Sequence, residues 1–141
     1  MRSFAFKNIL AVVCLSLVSL PLTVSAQSAD VGLSIRMGSA TVNRGDGVAV
    51  FALVTNNTTN KMRTTVSISA FSPCGTETSL GERKVSLEAG KSVALSVYYP
   101  IASDACTGMY AVTISADSDK GGGRNVPVTA TSSATAYVEV Q

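Results

Sequence analysis

Apolar and polar residues alternate with a period of two through most of the chain after residue 30. This alternation predicts β-strands that bury one face, and no stretch has the 3.6-residue period of an amphipathic helix. Clusters of Gly, Asn, Asp and Pro separate the alternating segments and predict the turns between them. The pattern therefore predicts about seven strands. They are expected at residues 31–35, 48–55, 65–71, 83–87, 92–99, 110–116 and 129–141.

The phase of the alternation decides which residues form the core, because a one-residue slip would expose the whole apolar set. Segment 48–55 differs, since its apolar residues fall on both faces, as expected of a central strand. Without crossover helices, the predicted fold is all-β, with two packed antiparallel sheets. The residues predicted to point inward are Val31, Leu33, Ile35, Val66, Ile68, Ala70, Val85, Leu87, Val93, Leu95, Val97, Tyr99, Tyr110, Val112, Ile114, Ala116, Ala134, Ala136, Val138 and Val140.

Residues 1–26 have the composition of a secretory signal peptide. Arg2 and Lys7 form a basic start, residues 9–20 are a mainly apolar run, and Val24–Ala26 provides a small-residue cleavage site. The apolar run has about a dozen residues, whereas a membrane-spanning helix needs roughly 20. We therefore expect cleavage after this leader, export to the periplasm or the extracellular space, and no stable membrane insertion afterwards.

Removal of the leader changes the charge balance of the protein. The complete chain has 11 basic and 9 acidic residues, and loss of Arg2 and Lys7 would leave nine of each. Residues 27–141 would then form one neutral domain of 115 residues. Such a domain lacks the basic footprint of nucleic-acid binders and the polybasic patch that binds membrane surfaces. We therefore expect no nucleic-acid partner.

Two cysteines, Cys74 and Cys106, remain after the predicted cleavage, because Cys14 lies within the leader. An even number of cysteines in an exported chain favours a disulfide, since export places the chain in an oxidising compartment. Two free thiols are the alternative. A disulfide would tie the loop after the third predicted strand to the segment just before Tyr110.

Residues Gly108–Val112 look like the start of strand F of immunoglobulin-like domains. This resemblance implies a tyrosine corner, in which the Tyr110 hydroxyl bonds to the backbone upstream. Together with Val54–Asn57 and Leu87–Ser92, this segment resembles the bacterial extracellular immunoglobulin-like modules of the CARDB and NEW3 type. The resemblance covers nearly all of residues 27–141 and implies an immunoglobulin-like antiparallel β-sandwich. Modules of this kind often accompany secreted hydrolases and adhesins.

The composition excludes most catalytic chemistries. The chain has no histidine, so Ser-His-Asp and Cys-His arrangements and histidine-ligated metal sites are absent. A paired-carboxylate mechanism needs two acids held in a cleft, whereas the nine acids here are scattered, mostly in turns and on polar faces. No Ser-x-x-Lys motif supports Ser-Lys catalysis. The sequence therefore predicts a protein that is not an enzyme and has no catalytic residues.

One segment has spacing that suits a calcium ion. Asp117 and Asp119 alternate before Gly121, so that their carboxylates in an extended turn can converge on one Ca²⁺. A complete site needs more oxygen ligands, and the distal bidentate glutamate is missing. The alternative is an ordinary polar hairpin tip. Asp117 and Asp119 are the metal candidates, and no other cofactor is expected.

Tyr98 is the candidate for an exposed aromatic contact. Tyr98 and Tyr99 are adjacent on one predicted strand, so they face opposite ways, and an outward Tyr98 could stack on a sugar or contact a partner protein. Arg44–Asp46 matches the tripeptide that integrins bind in host adhesion proteins, although Gly and Asp are also ordinary turn residues. Tyr98, Arg44 and Asp46 are therefore the candidate interaction residues.

The sequence predicts an exported accessory domain that binds a protein or a surface glycan through a sheet face or end loops. One alternative is a structural subunit of a surface appendage joined by strand exchange, because a strand at a sheet edge can pair with another chain. The long C-terminal strand could be donated in this way, or it could simply close the domain. The second alternative is a carbohydrate-binding module, which the absence of tryptophan disfavours.

Overall fold

The computed structural model describes residues 24–27, 30–118 and 130–141. These residues form nine β-strands. None of the described segments forms a helix with the length and hydropathy that crossing a bilayer requires. The strands are β1 Val24–Gln27, β2 Val31–Met37, β3 Thr41–Val42, β4 Gly47–Asn56, β5 Met62–Phe71, β6 Glu77–Leu87, β7 Ser92–Pro100, β8 Gly108–Ser118 and β9 Ala130–Val140.

The strands form two sheets that pack face to face. Sheet I has the strand order β1-β2-β4-β7, and sheet II has the order β3-β9-β8-β5-β6. All neighbouring strands are antiparallel except β3 and β9. The chain crosses between the sheets after β2, β3, β4, β6 and β7. The predicted all-β antiparallel sandwich is therefore confirmed.

The core lies between the sheets and consists of the inward faces of the long strands. All the residues predicted to point inward are buried, apart from three valines that are only partly buried. These are Val85 on β6 and Val93 and Val97 on β7. Strands β6 and β7 are the outermost strands of their sheets. The two layers cover each other less completely at this side, so the edge valines keep some contact with solvent.

Strand β6 is longer than the pattern predicts. The prediction covered residues 83–87, whereas β6 begins at Glu77. Its first half is an exposed sheet edge, and its pairing with β5 shifts between Ile68 and Ser69, where a β-bulge lies. Gly81 sits at this bulge with a φ of +146°, a conformation that favours glycine. Since little of this segment is buried, the alternation that would reveal a strand is absent.

The pattern also does not predict β1 and β3. Strand β3 has only two residues, which pair with the end of β9. Strand β1 spans Val24–Gln27 and therefore crosses the predicted cleavage point after Ala26. It lies along the free edge of β2, with Val24 opposite Ile35 and Gln27 opposite Gly32.

The C-terminal strand β9 closes sheet II. It pairs with β8 along its whole length, from Ala130 opposite Ser118 to Val140 opposite Gly108. On its other side it pairs with β3. Of the two alternatives for this strand, the structure therefore favours closure of the domain over a strand that is free for donation.

A disulfide fixes one end of the sandwich. It joins Cys74, in the turn between β5 and β6, to Cys106, in the loop between β7 and β8. Four residues later, the Tyr110 hydroxyl donates a hydrogen bond to the Cys106 carbonyl oxygen at 2.9 Å. This bond is the tyrosine corner that the resemblance implies. The disulfide and the corner together hold the β7–β8 loop in place.

Replacing Cys74 and Cys106 with serine should lower the free energy of unfolding without changing the fold. The two residues are 32 positions apart, and a crosslink over such a loop restricts the unfolded chain by roughly 3–4 kcal/mol in the chain-entropy model. Urea unfolding of the double variant and of the oxidised parent measures the difference. Reduction of the parent should reproduce the loss, and unchanged midpoints in both experiments would contradict a stabilising disulfide.

Asn56 connects two loops at the other end of the sandwich. The β4–β5 loop lies before the start of β5, whereas the turn that contains Cys74 follows its end. It is fully buried at the end of β4. Its amide nitrogen donates hydrogen bonds to the carbonyl oxygens of Asn60, Leu87 and Glu88 at 2.8–3.2 Å. Its amide oxygen accepts hydrogen bonds from the backbone N–H and the hydroxyl of Thr58. One side chain thus satisfies the backbone of both the β4–β5 loop and the β6–β7 turn.

Candidate interaction surface

The outer face of sheet I carries bulky side chains above a floor of small ones. The bulky residues occupy alternate positions on β4, one position on β2 and one near the end of β7. Small residues on all three strands lie between them. We call this surface the Tyr98 face. It consists of Arg36, Phe51, Leu53 and Tyr98 with Ser34, Ala49, Ala94 and Ser96 between them.

Tyr98 is the most exposed large hydrophobic side chain of this surface, with 65% of its area accessible. Its ring lies against Gly47 of the neighbouring strand β4, and a Cβ atom at Gly47 would overlap the ring. Only glycine at this position lets the ring rest on the strand. Its neighbour Tyr99 is buried in the core, so the predicted opposite orientation of the two tyrosines is confirmed. Tyr98 is therefore a positioned ring with a free outer side.

A shallow groove of about 500 Å³ crosses the Tyr98 face next to Phe51 and Leu53. Leu53 is 42% exposed. The Arg36 guanidinium lies over the Phe51 ring, with 4.5 Å between Cζ and the ring centroid, a cation–π arrangement. Strands β2, β4 and β7 contain no other charged residue. The face therefore offers apolar contact area with one cation, which is already stacked on an aromatic ring.

The Arg44–Asp46 turn lies at the Tyr98 end of this face, because Asp46 directly precedes Gly47. Both charged side chains are exposed. The backbone N–H of Gly45 donates to the Ile101 carbonyl oxygen, and the Ile101 N–H donates to the carbonyl oxygen of Asp46. These bonds hold the turn against the β7–β8 loop, whereas integrin recognition needs a protruding loop. The structure thus places Asp46 directly before Gly47, against which the Tyr98 ring lies, without forming such a loop.

Sheet II carries a second, smaller apolar cluster on its outer face. Phe71 on β5 and Tyr137 on β9 lie on either side of Ala111 in the register of β8. Met109 lies two residues before Ala111, and Phe71, Met109 and Tyr137 are 42–55% exposed. The surrounding outward residues of sheet II are mainly serine and threonine, including the hydrogen-bonded pair Thr113 and Thr135. This cluster is an isolated apolar patch on a polar face.

An open cleft of about 510 Å³ lies beside the disulfide. The rings of Tyr99 and Tyr110 meet at its base, with centroids 6.3 Å apart. Burial raises the pKa of the Tyr99 hydroxyl, Tyr110 raises it further, and a hydrogen bond with Thr78 acts in the opposite direction. A tyrosine with a raised pKa stays protonated at neutral pH. The two rings therefore pack against each other at the base of the cleft, and the Tyr110 hydroxyl donates its hydrogen bond to the Cys106 carbonyl oxygen.

The calcium candidate is only partly described. Asp117 is an exposed residue near the end of β8, and Asp119 lies outside the described residues. Among the described residues, no three His, Cys, Asp or Glu side chains lie close enough together to hold a metal ion. The proposed pairing of Asp117 with Asp119 therefore stays a prediction.

The sequence predicts Tyr98 as an exposed residue but not the surface around it. The prediction that segment 48–55 is a central strand is confirmed, because β4 lies between β2 and β7. Its outward residues Phe51 and Leu53 are half-buried and exposed, respectively, and nothing packs on the outer face of β4 among the described residues. Strand β4 has apolar residues at both odd and even positions. In this protein that pattern indicates one face in the core and one uncovered apolar face.

Comparison with solved structures places this architecture among known domains. The CARDB domain of a Pyrococcus furiosus protein, solved in complex with di-metal ions, is similar over 86% of this chain and 93% of its own length, with a TM-score of 0.56 and 20% sequence identity. The chain has a CARDB-like fold. This confirms the resemblance to CARDB-type immunoglobulin-like modules at the level of the fold. The sequence matches no protein-family model and no curated protein.

The CARDB-like fold also occurs as a part of larger proteins. This chain is similar to 31% of an alkylpurine DNA glycosylase from Pseudomonas fluorescens bound to DNA, with a TM-score of 0.59 and 14% identity over 82% of this chain. It is similar to 16% of a β-glucosidase from Listeria innocua in complex with glucose, with a TM-score of 0.53 and 11% identity over 82% of this chain. The chain therefore spans only a minor part of these two enzymes, and the likeness concerns the fold alone.

Proposed function

We propose that residues 27–141 form an exported, non-catalytic accessory module that binds a partner protein through the Tyr98 face. The observation that carries this proposal is the uncovered apolar area of Phe51 and Leu53 on β4 and Tyr98 on β7. Together with β2, these strands contain a single charged residue, Arg36. Exposed contiguous apolar area on a small protein marks interaction sites. Aromatic residues and arginine are enriched, and lysine and acids depleted, in protein interfaces.

The chemistry of the face favours a protein over a glycan as partner. Sugar binding usually combines flat aromatic rings with charged or amide side chains that hydrogen-bond to hydroxyl groups. The Tyr98 face has one freely exposed ring, its Arg36 is stacked on Phe51, and its floor is alanine and serine. This arrangement suits an apolar strand or loop of another protein, with an acidic group near Arg36 as a favourable addition.

Two further observations support the exported and non-catalytic parts of the proposal. The Cys74–Cys106 disulfide is typical of proteins in oxidising compartments. The chain contains no histidine, and the groove of the Tyr98 face contains no acid, cysteine or lysine that could act as base or nucleophile. The comparison with enzymes that contain a CARDB-like part agrees with an accessory role, in which another protein performs the chemistry.

Photo-crosslinking in the native host tests the proposed surface. A benzophenone amino acid at position 98 should give one discrete crosslinked product, whereas the same probe at Tyr137 should give little. Tyr137 is a matched control because it is a similarly exposed tyrosine, 52% accessible, on the outer face of the other sheet. The product at position 98 should fall at least about tenfold when Leu53→Glu is added, because a charge would be buried in the interface.

The outcomes separate the candidate functions. A discrete protein product that depends on Leu53 supports the proposal, and binding of the purified partner should then show the same dependence. Equal products at positions 98 and 137, or none at position 98, would reject the Tyr98 face. Retention of the purified module on insoluble polysaccharide, lost with Tyr98→Ala but not with Tyr137→Ala, would replace the protein partner with a glycan.

A further inference from the structure

Strand β7 forms an open edge of sheet I along its whole length. The outermost strands are β1 and β7 in sheet I and β3 and β6 in sheet II. Strands β1 and β3 have only four and two residues. Strand β6 is long, but a bulge and the charges of Glu82, Arg83 and Lys84 protect it from pairing. Strand β7 has nine residues, no charge and no break in its register with β4, so it is a long edge without these protections.

The hydrogen bonds at the two ends of β7 show which of its residues face the open edge. The Asn56 N–H donates to the Lys91 carbonyl oxygen, and the Ile101 N–H donates to the Asp46 carbonyl oxygen. Both pairs continue the register of β4 and β7, and hydrogen-bonded pairs alternate along an antiparallel ladder. The residues of β7 with inward side chains therefore bond to β4. The backbone groups at the open edge have no partner among the described residues, and they belong to Ser92, Ala94, Ser96 and Tyr98.

The outward side chains beside this edge leave it accessible. Ala94 and Ser96 are small and exposed. The Tyr98 ring lies against Gly47 of β4, and β4 is on the opposite side of β7 from the open edge. The ring therefore leans away from the edge, and the backbone of another strand can approach it.

The inward side of the edge is apolar and incompletely covered. Val93 and Val97 of β7 are only partly buried. A groove of about 140 Å³ lies between β7 and β6, and its apolar lining includes Ile68, Leu80 and Leu95. The inward side chains of a strand added to β7 would lie at the mouth of this groove. Aliphatic residues at these positions would remove apolar area from water, which favours association.

The geometry points to a second copy of this chain at the β7 edge: we propose that the protein forms a two-fold symmetric dimer through antiparallel β7–β7 pairing. A two-fold axis requires identical edges to pair in antiparallel orientation. The dimer joins the two four-stranded sheets and their Tyr98 faces into one surface. It depends neither on cleavage of the predicted leader nor on the partner proposed for the Tyr98 face. A photo-crosslink between two copies has twice the mass of the module, which separates it from capture of another protein.

One antiparallel register pairs all nine residues of β7 with a second copy. Its two-fold axis passes through Ser96, the middle residue of the strand. In this register the backbone groups of the two open edges meet, because Ser96 pairs with its own copy and Ala94 pairs with Tyr98. Pro100, which has no N–H, lies opposite Ser92 at each end, so the missing donor falls outside the central pairs. The ladder would contain about eight backbone hydrogen bonds.

The side chains match in the same register. On the inward side, Leu95 of one copy lies opposite Val97 of the other, and Val93 lies opposite Tyr99. Apolar residues therefore meet at the mouths of both grooves. On the outward side, Tyr98 lies opposite an alanine. No like charges meet, because β7 contains none. A second copy thus supplies the apolar pattern that the edge requires.

Light scattering with chromatography on the exported protein tests the dimer. Its mass should rise with concentration from one copy to two. Ser96→Lys should weaken the dimer at least about tenfold, because two lysines meet at the axis, and Ser86→Lys should not. Ser86 is the matched control, since it is an exposed serine on the other long edge, β6. A mass that stays at one copy, a complex with a different protein that Ser96→Lys abolishes, or equal effects of the two lysines would refute the proposal.

Mixing of charged variants tests the position of the axis. Ser96→Glu alone should also weaken the dimer, but an equimolar mixture with Ser96→Lys should associate, since a lysine then meets a glutamate. Mild oxidation of Ser96→Cys should give a covalent dimer, because directly opposite residues of antiparallel strands have Cβ atoms about 4.5–5.5 Å apart, whereas Ser86→Cys should not. Ser96 is exposed, so circular dichroism should show every variant folded. A mixture that stays monomeric, or trapping at position 86 alone, would overturn the β7 pairing.

Discussion

A chain that stops at Thr129 should not fold. It would lack β9, which lies between β8 and β3 in sheet II and pairs with all eleven residues of β8. Four buried apolar residues would be lost, and the inner face of sheet I that packs on them would be exposed. Small domains are stable by only about 5–15 kcal/mol. Loss of an interior strand exceeds this margin, so circular dichroism and heteronuclear NMR should show a disordered or collapsed chain.

Two substitutions in the full-length chain test whether β9 stabilises the protein through its buried residues, without shortening the chain. Ala136→Asp places a carboxylate at a position that is 1% exposed and should destabilise by several kcal/mol. Ser133→Asp introduces the same group on the exposed face of the same strand and should change stability by less than about 1 kcal/mol. Urea unfolding compares the two. A folded truncated chain, or equal effects of the two substitutions, would mean that β9 is not part of the core.

Asn56→Asp should cost about 4 kcal/mol or more at neutral pH. The substitution replaces an amide that donates to three carbonyl oxygens with a buried carboxylate that can donate to none. Unsatisfied buried polar groups cost about 1–3 kcal/mol each, and charged groups cost more. Asn57→Asp is the control, because Asn57 is the next residue in the chain and is exposed. Its effect should stay below about 1 kcal/mol.

The pH dependence gives this prediction a second measurement. Burial among carbonyl oxygens would raise the pKa of the introduced carboxyl in the folded state above its unfolded value of roughly 4. A group with a raised folded pKa favours the folded state at low pH and disfavours it as the pH rises. The difference in unfolding free energy between Asn56→Asp and the parent should therefore shrink as the pH falls towards 4. A difference that does not vary with pH would contradict the buried environment.

The strands that the sequence reveals are those with one face in the core. Strands β5, β8 and β9 alternate because inward residues such as Ile68, Ile114 and Val138 meet the opposite sheet, and the period follows from the geometry of the strand. The first half of β6 and the two residues of β3 bury little apolar area, so no period exists to be read. Their positions depend on hydrogen bonding to neighbours that are distant in sequence.

The candidate surface was harder to predict for a related reason. The exposure of Tyr98 follows from its position next to Tyr99, because adjacent residues of a strand point to opposite faces of the sheet. In contrast, the contact of Tyr98 with Gly47 and the stacking of Arg36 on Phe51 join different strands, and these contacts depend on the register between them. Sequence periodicity gives the face of each strand but not the alignment of one strand with the next.

The buried amide of Asn56 has a practical consequence for the choice of expression host. Asn56 and Asn57 each begin an Asn-x-Thr sequon, the acceptor for N-linked glycans in eukaryotic secretion. Transfer of a glycan to Asn56 before folding would occupy the amide nitrogen that holds Asn60, Leu87 and Glu88. Yeast or mammalian secretion should therefore yield folded protein that carries sugar on Asn57 and none on Asn56, whereas bacterial export avoids this competition between modification and folding.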